Sequence, residues 1–483
     1  MKSIVNLILI LAAHTTFAQT GIIWSQTADV ASSQFGNMHP RVVIDGAGDP
    51  MILWGKGNAN QVFFTHWTGN SFASPVAMNP NTIPVFAASW AGPDLASRGD
   101  TVYVVFKQTP EDANNIYLVH SFDGGVNFSA PVSVDAIADS ISRFPTVSVD
   151  AKGNPVVAFM KFNPDWTNAR FVLAKSEDQG NSFSTDVLGS GYSGGEVCSC
   201  CPASLATDGN TTALLYRNNL NNLRNSWASI SYDGGNSFGG GIEIDNTDWI
   251  INACPATGPD GVIVGNSLYS VFMSAASGKS LCYRSHSNLN TQQLEMLEPL
   301  TENVAGLAQQ NYPRIATSGE AAAIVWTQTV NGDAQLGFQF TNNISNGYSP
   351  GYEILVPNNV VSADVAFSAT KIYVVWEDLS SGKVKIKSGS YISSGASDLS
   401  NTSGSFQIFP NPASSSGLYV QFDVPDASRV NYKIFNTQGQ QLVSGVGAAT
   451  DVGLKMDVSS LSSGIYFIRI SHHGQVEFRK VIL

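Results

Sequence analysis

The feature that most narrows what this chain can fold into is a unit that returns at near-constant spacing along it. Three segments read S-x-D-x-G-x-x-F: Ser121 to Phe128, Ser176 to Phe183 and Ser231 to Phe238. Their aspartates, Asp123, Asp178 and Asp233, are evenly spaced. A degenerate copy, Thr65 to Phe72, lies one period upstream. The chemistry is that of a turn. The aspartate accepts backbone N–H bonds, the glycine takes a conformation closed to other residues, and the aromatic tucks under a hairpin. A structural role is therefore expected for all three aspartates.

A second repeat covers more of the chain. It is a Pro-led strand, a Gly/Asp turn and a strongly apolar strand. Its copies open at His39-Pro40, Gly92-Pro93, Phe144-Pro145, Cys201-Pro202, Cys254-Pro255, Tyr312-Pro313 and Ser362-Ala363. They keep the same period as the first repeat. The apolar strands include Met51 to Trp54, Val102 to Phe106 and Ile372 to Trp376. A repeat of this length cannot bury its own apolar faces and must stack on its neighbours. The period fits one four-stranded blade, which predicts an all-β propeller over residues 19–387. Seven blades are favoured and six are possible. The last copy runs out after Lys383 to Lys387, so the segment Gly21 to Gln26 is expected to supply its missing fourth strand.

Composition excludes several partners. Charged residues are only 13% of the chain, the net charge is −12, and no Lys/Arg run occurs. Phosphate backbones are repelled by such a surface, so no nucleic-acid partner is expected. The N-terminal stretch, 1–18, reads as a signal peptide: Lys2, an apolar run from Ile4 to Ala13, then Thr16-Phe17-Ala18 at the cut site. The run is too short to span a bilayer comfortably, and no later segment is apolar enough, so the mature chain is expected to carry no transmembrane segment. Residues 388–405 are rich in Ser and Gly and read as a linker. Residues 406–483 alternate like a small β-sandwich.

These motifs carry two resemblances. The S-x-D-x-G-x-x-F turn resembles the Asp box of the sialidase-like BNR-repeat propellers, where it joins the third and fourth strands of a blade. That resemblance implies glycoside hydrolysis of acidic sugars, with three arginines on the substrate carboxylate, a Tyr/Glu pair as nucleophile and an Asp as acid/base. The family's Arg-Ile-Pro entry motif has its nearest match in Arg143-Phe144-Pro145. The C-terminal stretch is similar to the type A sorting domain of the Bacteroidetes type IX secretion system. It carries Phe406 to Pro412, Tyr432 to Gly439, Leu461 to Arg469 and Lys480 to Leu483 in the expected order. This implies export, engagement of the type IX machinery, and a secreted or cell-surface destination.

Chemistry in a propeller is expected at the channel mouth, where the innermost strands begin. One residue past each Pro position stand Arg41, Asp94, Thr146, Ala203, Ala256, Arg314 and Asp364. Around the closed ring, Arg314, Asp364, Arg41 and Asp94 alternate in sign. They read either as inter-blade salt bridges or as a site for an acidic sugar. In the second case Arg41 and Arg314 bind carboxylate, while Asp94, Asp364 and Tyr312 are the catalytic candidates. Lys107, Lys161 and Arg217, with Lys56 and Arg224, form a second candidate set as a basic arc for an anionic glycan or glycoprotein. Cys198, Cys200, Cys201 and Cys254 are disulfide candidates, since export permits them. The odd total of five cysteines leaves one thiol over. The Cys spacing is not a standard zinc pattern, and no phosphate or dinucleotide loop occurs, so no cofactor or metal is expected. The leading function is therefore a glycan-interacting propeller, or an exo-glycosidase on acidic sugars. A non-catalytic adhesion propeller is the alternative, and a metal- or redox-linked propeller built on the cysteines a weaker one.

Overall fold

A computed structural model describes residues 22–483, save 31–34, 136–139, 302, 392–405, 415–416, 423–428, 437–439, 449–453, 463 and 473–474. The signal peptide expected over 1–18 lies outside the described residues. The chain divides into two compact units, the larger comprising Trp24–Ser390 among the described residues and the smaller comprising Tyr391–Leu483 together with the short stretch ending at Ile23.

Among the described residues, the larger unit contains seven antiparallel sheets of four or five strands. Sheet 1 is Asn37–Ile44, Pro50–Lys56, Gln61–His66 and Val76–Ala77. Sheets 2 to 7 repeat the order, with innermost strands Asp94–Arg98, Ile141–Val149, Ser204–Asp208, Asp260–Val264, Leu307–Ser318 and Val360–Phe367. Each innermost strand packs against the next, and the seventh packs against the first, so the ring is closed. This is a β-propeller. The seventh sheet takes an outer strand from the start of the unit: Ala28 and Asp29 pair with Ile386 and Lys385, and Ser25 bonds to Ser388. Its third strand runs Lys383–Ser390, just into the expected linker.

The second strand of each sheet explains the apolar runs. Side chains alternate between the faces of a strand. In Thr101–Lys107, Val102, Val104 and Phe106 join a core with Leu53 and Phe64 of sheet 1. Tyr103 and Val105 join the opposite core with Val157 and Phe159 of sheet 3. Both faces are buried, so the strand is apolar without alternation.

The Asp boxes close the turn between third and fourth strands. Asp123 Oδ1 accepts from the Asn127 N–H at 2.9 Å and from the Ser121 hydroxyl at 2.7 Å. Asp178 and Asp233 do the same with Ser182 and Ser237. Gly125 sits at φ +83°, and a Cβ there would meet the Phe64 ring at 2.3 Å.

The smaller unit holds two sheets. One comprises Phe406–Ser414, Gly417–Phe422 and Leu454–Met456. The other comprises Gln441–Ala448, Arg429–Phe435, Ile465–His472 and Gln475–Ile482. Leu418, Val420, Ile434, Met456, Ile468 and Val481 share its core.

Candidate functional site

The ring at the channel mouth follows from strand register. In sheets 1, 2, 3, 6 and 7, Arg41, Asp94, Thr146, Arg314 and Asp364 each face the middle of the second strand. In sheet 5 that position belongs to Asp260, opposite Val271, and in sheet 4 to Ser204, opposite Leu215. The expected Ala256 and Ala203 are therefore corrected. The proline that aligns in sheet 5 is Pro259, because additional chain separates Cys254-Pro255 from the strand.

The ring residues staple neighbouring sheets together. Asp364 Oδ2 accepts from the Val42 N–H of sheet 1 at 3.0 Å. Asp260 Oδ2 accepts from the Ile315 N–H of sheet 6 at 3.0 Å. Asp94 Oδ2 accepts from the Thr146 hydroxyl of sheet 3 at 2.6 Å. Arg314 Nε lies 3.1 Å from Asp364 and 3.4 Å from Asp260, and Arg41 Nε lies 3.7 Å from Asp94. Asp94 and Asp364 are thus engaged as inter-sheet acceptors, a structural task that competes with the acid/base role suggested for them.

The mouth around this ring is lined by His39, Trp90, Phe144 and Tyr312 as well as Arg41 and Arg314. His39, Phe144 and Tyr312 have φ of 54°, 51° and 50°, a region bulky residues rarely occupy. In each case the ladder shifts register just there. Such bulges re-aim side chains, and strained backbone of this kind clusters at functional sites. His39 Nε2 lies 2.8 Å from Arg41 Nη2, an obligate donor, so the ring proton sits on Nδ1, 3.4 Å from the Ser89 carbonyl. Burial and the neighbouring Arg41 push the His39 pKa well down, which keeps the imidazole neutral. Trp90 meets Phe144 edge-on at 5.2 Å. The Arg143 guanidinium sits 4.0 Å over the Phe144 ring and pairs with Glu111 at 3.1 Å.

Glu377 was missed by the sequence reading. It accepts from the Ser89 hydroxyl at 3.0 Å and the Ser362 hydroxyl at 3.3 Å. Burial raises its pKa. Tyr312 is also pushed up, by burial first and then by the charge of Glu377. Tyr312 lines the mouth and feels the charge of Glu377. The available signal was register, since Glu377, Lys107 and Arg217 all stand two residues past the partner of the ring residue.

The basic arc is corrected. Lys107 and Arg217 are 2% and 0% exposed. Lys107 Nζ donates to the Ser142 hydroxyl at 2.8 Å and to the Asn114 carbonyl, and burial lowers its pKa to about 8. All three Arg217 nitrogens donate to backbone carbonyls, of Thr257, Arg224 and Met273. A strand-end cation pointing inward must find partners in the protein. Lys161 pairs with Asp186 at 3.0 Å.

The cysteines converge where sheets 4 and 5 meet. Cys200 is bonded to Cys254, while Cys198 and Cys201 are thiols within 2.8 Å of each other. The vicinal Cys200–Cys201 bond is not formed. Residues just past these cysteines, Pro202, Ala203, Thr257 and Gly258, wall the mouth.

Residues 407–483 match the family model described as a secretion system C-terminal sorting domain. The smaller unit is a secretion sorting domain. This sorting domain engages the type IX machinery and sends the chain to the cell surface or beyond it. No helix among the described residues is long and apolar enough to cross a membrane. No curated protein matches the chain's sequence. Among solved structures, a Dyadobacter fermentans protein of unknown function is similar at 12% identity over 67% of this chain and 99% of that one, with a TM-score of 0.44. A polysaccharide lyase, an ulvan lyase, is similar at 10% over 75% and 95%, at 0.49. A Trypanosoma rangeli sialidase is similar at 9% over 92% and 84%, at 0.41. At these scores the likenesses say nothing about the site.

Proposed function

We propose that the exported propeller binds anionic glycans, acidic sugars above all, at the channel mouth. The observation that carries this reading is the state of Arg314. Its Nε is anchored between Asp260 and Asp364, and its terminal nitrogens make no hydrogen bond among the described residues, although the residue lines the mouth. Such a fixed fork suits a carboxylate, which accepts two parallel N–H bonds. Trp90 and Tyr312 beside it offer flat apolar faces for a sugar ring.

A second reading, exo-glycosidase action on an acidic sugar, is favoured by one observation, the charge of Glu377 acting on Tyr312, which lines the mouth. A buried carboxylate with a raised pKa can take the phenol proton as the oxygen attacks the anomeric carbon. Against it stands the engagement of Asp94 and Asp364 in stapling, which leaves the acid that protonates the leaving group without an evident candidate.

Calorimetric titration of the full chain with sialyl and glucuronyl oligosaccharides, beside their neutral counterparts, tests the first reading. Anionic ligands are expected to bind and neutral ones not. Arg314→Lys, which keeps the charge and drops the fork, is expected to weaken binding tenfold or more, roughly 1.4 kcal/mol. Equal binding of neutral sugars, or an unaffected variant, sinks the proposal. Release of a fluorophore from a sialic-acid glycoside, abolished in Tyr312→Phe, tests the second. A folded wild-type chain without turnover rejects hydrolysis and leaves binding standing.

A further inference from the structure

Four of the five cysteines lie in one cluster, and only one of the bonds that the cluster can make is accounted for. The Cys200–Cys254 bond ties the loop entering sheet 4 to the loop entering sheet 5, across 54 residues of chain. The two loops press backbone against side chain: a Cβ on Gly258 would fall 1.9 Å from the Pro202 carbonyl oxygen. Arg217 bonds to Thr257 beneath them at 3.3 Å. In the same loop the Cys201 N–H donates to the Cys198 carbonyl at 3.1 Å, a tight turn that brings the two side chains together. Their sulfurs are 2.8 Å apart, against about 2.05 Å in a bonded pair. Cys282 is buried alone in another core, and burial pushes its thiol up.

We propose that Cys198 and Cys201 close a second disulfide, so that the sheet 4–sheet 5 junction is a double cross-link and Cys282 is the one thiol that remains. The odd cysteine count is thereby resolved without a metal or a partner chain. The oxidant is a protein dithiol/disulfide oxidase of the exporting compartment, met before the loop packs. The Cys198 thiolate attacks a sulfur of the oxidase disulfide, forming a mixed disulfide and releasing one oxidase thiolate. The Cys201 thiolate then attacks Cys198 Sγ, forming the Cys198–Cys201 bond and expelling the second oxidase thiolate. Two electrons pass to the oxidase, and the two protons lost by the cysteines end on its thiols. The product fixes the walls of the mouth, Pro202, Ala203, Thr257 and Gly258.

The test is a thiol count on the full chain, exported through an oxidising compartment, denatured without reductant, alkylated and weighed intact. One alkyl group, mapped to Cys282, is expected; three, on Cys198, Cys201 and Cys282, overturn the proposal. The Cys200→Ser/Cys254→Ser double variant checks the pairing. It is expected to retain a single alkylatable thiol, because Cys198 and Cys201 need no partner outside their own loop. Three thiols in that variant also overturn the pairing, whatever the wild-type count.

Discussion

The two halves of the propeller ring close by different chemistry. From sheet 5 round to sheet 2 the junctions are ionic: Asp260, Arg314, Asp364, Arg41 and Asp94 alternate, and each aspartate accepts a hydrogen bond from the next sheet. At the sheet 4–sheet 5 junction the ring position is Ser204, which donates to the Pro259 carbonyl at 3.0 Å. There a Cys200–Cys254 bond, with Arg217 donating to the Thr257 and Met273 carbonyls, takes the place of the ion pairs. Hydrogen bonds and disulfides have fixed geometry, so either gives a sheet junction directional closure that apolar packing lacks. Either charged staples or sulfur can supply it, and only the charged half leaves polar groups facing a ligand.

The largest effect that tests this contrast is expected on the charged side. Asp364→Ala leaves Arg314 with one partner and the Val42 N–H without its acceptor. Breaking a buried pair of this kind costs about 3–5 kcal/mol, read as a shift in urea midpoint. A loss under about 1 kcal/mol would break the comparison. Next comes the sulfur side. Cys200→Ser removes a cross-link and is expected to cost about 2–4 kcal/mol, with the deficit equal at pH 5 and pH 8 in the absence of reductant.

Turn chemistry, being local, was readable from sequence, and the ring was not fully so. The Asp boxes and the Pro-led strands showed the blades because each motif specifies its own turn within one short stretch of chain. The ring depends on register between distant strands. It was found where the residue after the Pro of the repeat, or after Ala363 in its place, is the ring residue, at Arg41, Asp94, Arg314 and Asp364. It was lost at Asp260, where Cys254-Pro255 mimics the repeat too early. Glu377 escaped because a search for basic residues at that register position could not see the one sheet where the sign is reversed.

A smaller effect separates the mouth from the rim. At the rim, Asp123 is held down to about 2, chiefly by the Asn127 N–H and side chain, and Asp178 and Asp233 are lowered by similar bonds. A carboxylate with a depressed folded pKa contributes stability that is whole above its unfolded value, about 3.9, and is lost as pH falls through the folded value. Asp260 and Glu377 are raised by burial and act with the opposite sign, losing their contribution as pH rises through their folded values. Asp123→Asn is therefore expected to cost on the order of 1 kcal/mol at pH 7, and to flatten the loss of stability between about pH 4 and pH 2. An unchanged acid limb would show that the boxes do not carry it.

The smallest effect belongs to Lys161, and it sharpens the comparison by its size. Register sets it apart from Lys107 and Arg217. Thr146 faces Ala158, so the equivalent of Lys107 in sheet 3 is Met160, and Lys161 stands one residue further along. Adjacent strand residues project to opposite faces, which is why Lys161 finds Asp186 instead of an interior carbonyl. Lys161→Ala is expected to cost at most about 1 kcal/mol and to leave binding of an anionic glycan unchanged. A marked loss of binding with stability intact would return the ligand to the basic arc and away from Arg314. That outcome would also mean that a single ammonium paired with Asp186 outcompetes the two-pronged terminal nitrogens of Arg314 for a carboxylate.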